Sequence, residues 1–222
     1  MIHVQLITED RTGGGLDEVI RASVQARRAQ EGREPLRFPR KPGNVDGAAQ
    51  LLKECAKYEL YRFHYPPRFD HVFYVIDARN VWHLKQLGVS APEPPLHKSL
   101  VPLLESVKKE MAVMARERRN DDEWARISAG FHPHVLVWER ESLILPVADK
   151  LGLGDAVEDV YGERQAFETV RELLRRTKHR KYDKAIHGPL LLGQIARDAS
   201  LRATVLSSNP SLQSLVDELA AL

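Results

Sequence analysis

The chain has 222 residues, enough for one domain with a sizeable buried core or for one domain with an appendage. Its 43% hydrophobic and 29% charged residues are ordinary for a globular protein, and a net charge of +2 excludes bulk basicity as a reason to bind nucleic acid. The single cysteine, Cys55, excludes an intrachain disulfide and a cysteine-based zinc site. No apolar run reaches the roughly 18 residues of a membrane span, and Met1–Ile7 lacks the basic leader of a signal peptide, so a cytoplasmic, membrane-free protein is expected.

In chain order, Ile2–Ile7 reads as a short strand ending in Thr8-Glu9-Asp10, followed by the turn Arg11 to Gly15. From Leu16 to Gln30, Leu16, Val19, Ile20 and Val24 form the stripe of an amphipathic helix. Leu36–Phe38 reads as a short strand, and Val45–Leu60 as a helix with Leu51, Leu52 and Cys55 inward. His71–Ile76 is apolar on both faces, the pattern of a central strand in a mainly parallel sheet, and it ends at Asp77. A proline-rich linker over Ser90–Pro95 precedes a long amphipathic helix over Leu100–Arg119. His134–Trp138 is a third strand, ending at Glu139-Arg140-Glu141, with Ser142 placed to cap a helix reaching Leu151. Ala166–Arg176 is helical, and Asn209-Pro210 starts a last helix. Strands alternating with helices predict one α/β domain over 1–222, with a helical insertion at about 90–123.

Three acidic positions follow directly on strand runs: Glu9, Asp77 and Glu139/Glu141. Parallel strands end on one sheet edge, where α/β folds bind ligands. Carboxylates gathered there repel one another unless a cation lies between them, and an all-oxygen set suits Mg²⁺ or Mn²⁺. Glu9, Asp77, Glu139 and Glu141 are therefore candidate metal ligands, for chemistry in which the ion polarises a phosphate and activates water. The plainer alternative is that each carboxylate caps the next helix or is solvated. A basic run holds Arg175, Arg176, Lys178, Arg180, Lys181 and Lys184, which either contacts phosphates or forms the solvated end of a helix. Arg27, Arg28, Arg33, Arg37, Arg40 and Lys41 form a second basic stretch with the same ambiguity. His132 and His134 flank Pro133, and no third histidine stands near them in sequence to complete a metal site.

The string Tyr182-Asp183-Lys184-Ala185-Ile186-His187-Gly188-Pro189-Leu190 resembles the late "YDK, HGP" motif of a bacterial toprim-like family, the domain of unknown function 4276. Glu139-Arg140-Glu141 followed by Ser142–Leu145 resembles that family's "E-x-E" before an apolar helix, and Leu6–Asp10 its strand ending in "EG", with Asp10 in place of the glycine. The terminal "CPHF" counterpart, Asn209–Leu212, lacks the cysteine and the aromatic residue. The resemblance implies a toprim-like, Rossmann-like sheet flanked by helices, related in fold to overcoming-lysogenization-defect nucleases. It implies a Mg²⁺- or Mn²⁺-dependent nuclease acting on DNA, in anti-phage defence with an ATPase partner. By similarity Glu9, Asp77, Glu141 and Lys184 would be catalytic, Glu9 as metal ligand or general acid/base and Lys184 facing the scissile phosphate. Arg79 stands where the second acid of a D-x-D motif is expected, which points to one ion rather than two, or to none. The alternative is a toprim-like module without activity that binds nucleic acid, nucleotide or a partner protein.

Overall fold

The computed structural model describes residues 1–9, 15–39, 45, 47–64, 66, 68–81, 96–116, 119–137, 139–160, 165–178 and 181–222. The chain divides into two compact units, each made of two segments. The first is Met1–Thr12 with Arg33–Val135, and the second is Gly13–Gly32 with Leu136–Leu222.

The first unit is built on the sheet. Strands β1 (Val4–Thr8), β2 (His71–Asp77) and β3 (Phe131–Leu136) lie in the order β1-β2-β3 and run parallel. In β1 and β2, Val4 pairs with His71 and Thr8 with Val75. Val4, Leu6 and Ile7 of β1 and Val72 to Ile76 of β2 are buried, which is why both runs are apolar on successive positions and not alternating. The expected Leu36–Phe38 strand shrinks to a single bridge, His3 to Arg37. The third strand starts earlier than its apolar run, at Phe131, and takes in Pro133. Among the described residues β3 is an edge strand, where a proline lacking its N–H is tolerated.

Helix α2 (Ala48–Cys55) packs on β2, and helix α4 (Leu96–Arg116), from the stretch read as an insertion, packs on α2. Between them lies a short helix, α3 (Ala78–Val81), directly after β2. The expected Val45–Leu60 helix is interrupted: α2 ends at Cys55, and a π-helical turn forms at Leu60–His64. Tyr58 points inward between them, its hydroxyl donating to Ile127 O at 2.5 Å. Helix α5 (Asp121–Ile127) is started by Asn120, whose side chain accepts from Glu123 N while Glu123 reaches back to Asn120 N.

The second unit is helical. Helix α1 (Leu16–Gln30) packs on α7 (His187–Arg197) and α9 (Pro210–Ala221), and α8 (Ala199–Ser208) packs on both α7 and α9. Gly15 at the start of α1 has φ +92°, and a Cβ there would come within 2.7 Å of Leu192 Cβ, so the last residue of the glycine turn is a packing requirement. Arg28, from the second basic stretch, is buried and donates to Ala220 O at 2.9 Å, tying α1 to the end of α9. Asn209 caps α9 as expected, its side chain accepting from Leu212 N. The helix expected from Ser142 does not form. Residues Arg140–Leu143 and Leu145–Val147 make two 3₁₀ turns instead. Pro146 cannot give the N–H that an α-helix would bond to Ser142 O, and the Ser142 hydroxyl lies 2.6 Å from Glu139 O. Helix α6 (Ala166–Lys178) runs two residues past its expected end. No helix among the described residues is long and apolar enough to cross a membrane.

Candidate functional site

The predicted acidic residues fall in both units, and each group is described within its own. In the first unit, Glu9 stands one residue past β1 and Asp77 is the last residue of β2. Glu9 N donates to Val75 O at 3.1 Å, continuing the parallel ladder, and Glu9 Oε2 accepts Asp77 N at 3.0 Å. The Glu9 side chain is thus held against the backbone of Asp77 at the C-terminal edge of adjacent parallel strands. Asp77 is only 7% exposed and Glu9 is half-buried. Arg79 follows in α3 and is also half-buried. Among the described residues no group of three or more His, Cys, Asp or Glu side chains gathers to hold a metal ion. Two carboxylates at a strand edge are nevertheless a donor set that fits Mg²⁺, which commonly takes one or two carboxylates, keeps several waters and adds substrate phosphate oxygens.

In the second unit, Glu139 and Glu141 are held in a different way. Glu139 Oε1 accepts Phe167 N at 2.9 Å, so this carboxylate satisfies an otherwise unpaired donor in the first turn of α6. Its other oxygen lies 3.5 Å from Lys184 Nζ. Glu141 is 0% exposed. Its Oε1 accepts Arg140 Nε at 3.2 Å and the Tyr182 hydroxyl at 3.0 Å, and its Oε2 lies 3.3 Å from Lys184 Nζ. Arg140 also donates to Lys184 O at 2.6 Å. Two carboxylates and two cations are therefore gathered in one centre.

The string that resembles the family motif is what closes this centre. Tyr182 is buried, and its burial together with the Glu141 carboxylate pushes its hydroxyl well up from its ordinary value, so that it remains a donor. Asp183 Oδ1 accepts Ala185 N and Ile186 N, turning the chain into α7, and Asp183 N donates to His187 Nδ1 at 2.8 Å. His187 stacks on the Tyr182 ring. A Cβ at Gly188 would meet Tyr182 Oη at 3.1 Å and Arg140 Nη2 at 3.2 Å, so glycine is the residue that fits.

The basic run is partly engaged. Arg175 and Arg176 both bind Glu172 on the exposed face of α6, at 2.7 Å each, and these hydrogen bonds hold the Glu172 carboxyl down at about 2. Lys181 is exposed, and Lys184 keeps 45% of its side chain in solvent while pairing inward. The side chain of Lys178, and Arg180, Arg40 and Lys41, lie outside the described residues.

Two features went unread in the sequence. Glu54 of α2 is buried and accepts from Lys57 at 2.8 Å and Tyr61 at 2.5 Å. Burial opposes its ionisation, but these hydrogen bonds outweigh that and hold its carboxyl below the ordinary value. The other is a histidine pair: His71, the first residue of β2, lies with Nδ1 2.9 Å from His132 Nε2. The sequence gives no sign of this, because the partner of His132 is set by the register of β3 against β2. Cys55 is buried, which pushes its thiol far up and removes it as a nucleophile.

No family model matches this chain, and no curated protein and no solved structure matches it.

Proposed function

We propose that the chain is a toprim-like nuclease that hydrolyses phosphodiester bonds with Mg²⁺ or Mn²⁺, with DNA as substrate. The observation that carries this reading is the Glu9–Asp77 pair at the C-terminal edge of two adjacent parallel strands. Glu9 and Asp77 would hold the ion, which when bound would polarise a phosphate and activate water. The backbone N–H of Asp77 fixes one Glu9 oxygen, so the carboxylate is oriented before any ligand arrives. Action beside an ATPase partner in anti-phage defence rests on the motif resemblance alone.

A second reading, a binding module without activity, is favoured by one specific arrangement. Lys184 and Arg140 already neutralise Glu139 and Glu141, so these two carboxylates have no need of a metal. Arg79 in place of a second acid points the same way. Calorimetric Mn²⁺ titration of the wild type and Glu9→Gln, with cleavage assays on double- and single-stranded DNA, separates the two. Wild-type binding and cleavage that both vanish in Glu9→Gln support the nuclease. Equal, negligible heats in the two proteins remove it and leave the module.

A further inference from the structure

We propose that His71 and His132 form a second metal site in the first unit, one that takes a borderline transition ion such as Zn²⁺. His71 Nδ1 and His132 Nε2 are 2.9 Å apart, with the rings tilted by 50°. Two imidazole nitrogens on a tetrahedral zinc, at about 2.0–2.1 Å each, stand about 3.3 Å apart. To admit the ion the nitrogens must part by about 0.4 Å and the rings must turn so that both lone pairs point at it. Both histidines are half-buried.

The ring of His132 is oriented from below. Phe73 of β2 lies flat against it, with centroids 4.2 Å apart and planes within 5°. His134, two residues on, shares that face and stacks on the other part of Phe73 at 5.8 Å. Phe73 thus packs flat against the His132 ring and restrains its orientation. In the metal-free pair one imidazole donates to the other. Metal entry needs the donor ring to carry its proton on its other nitrogen, so a tautomer changes and no net proton is released.

The two proposed sites differ in chemistry. Carboxylate oxygens at Glu9 and Asp77 suit hard Mg²⁺ or Mn²⁺, whereas paired imidazoles suit zinc and its neighbours. The histidine site therefore stands or falls independently of the nuclease reading.

The test is a Zn²⁺ titration of the tag-free full chain, labelled with ¹⁵N, following the ring nitrogens of each histidine. One equivalent should shift His71 Nδ1 and His132 Nε2 together. By calorimetry His71→Gln and His132→Gln should each weaken Zn²⁺ binding by about tenfold or more. Exposed His64→Gln should leave it unchanged. Should either histidine variant fail to fold, the wild-type nitrogen shifts decide alone. Shifts confined to other histidines, no shift at all, or equal zinc affinity in wild type and both folded histidine variants would overturn the site.

Discussion

Glu9 and Asp77 in the first unit and Glu139 and Glu141 in the second were indistinguishable as sequence: acids directly after an apolar strand. The structure treats them oppositely. The first pair ends two parallel strands and is held through a backbone N–H. The second pair is buried against Lys184, Arg140, Tyr182 and the start of α6. A carboxylate held between two cations has spent its charge on the fold.

The largest expected effect breaks the second pair. Glu141→Gln removes the charge that faces Arg140 and Lys184 in a fully buried position, and should cost about 3–5 kcal/mol in urea unfolding. A loss under about 1 kcal/mol would mean that the cations find water in its absence.

Alkaline pH acts on the buried tyrosines of both units. Burial raises Tyr58 to about 12 and raises Tyr74 and Tyr182 well above the ordinary value. In the unfolded chain they ionise near about 10. Folded and unfolded states bind equal protons below that pH, and above it the unfolded state sheds more. Stability should therefore be complete below about pH 10 and fall as pH rises through 12. Urea midpoints measured from pH 9 to 11.5 check the sign.

Lys184→Met sharpens the comparison from the cation side. Because nearly half of this side chain is in water, its removal should cost only about 1 kcal/mol. Its effect on nucleic-acid binding should appear as a change in salt slope if the ammonium contacts phosphate. Glu9→Gln is the smallest for stability, under about 0.5 kcal/mol by the same denaturation, since Gln can still accept the Asp77 N–H. A large loss there would place Glu9 among the residues that build the fold.

Local pattern carried the elements whose signal is local. The stripe Leu16, Val19, Ile20, Val24 marked α1 over its full length, and Asn209-Pro210 marked the start of α9, because a helix period and a cap are written within a few residues. The two-sided apolar runs at Ile7 and Val72–Ile76 marked buried parallel strands, and the acids at their ends marked the edge where Glu9 and Asp77 meet. What stayed hidden depends on which segments become neighbours. Pro133 concealed the start of β3 because only its place at a sheet edge makes a proline acceptable. The meeting of His71 with His132 follows from a register between strands about sixty residues apart. Glu139 and Glu141 read like Glu9 and Asp77 until Lys184 and Tyr182, more than forty residues further on, fold back onto them. Sequence alone placed charges at strand ends. Tertiary structure decided that Glu139 and Glu141 face Lys184 and Arg140, because Coulomb attraction and burial act on distance in space and not along the chain.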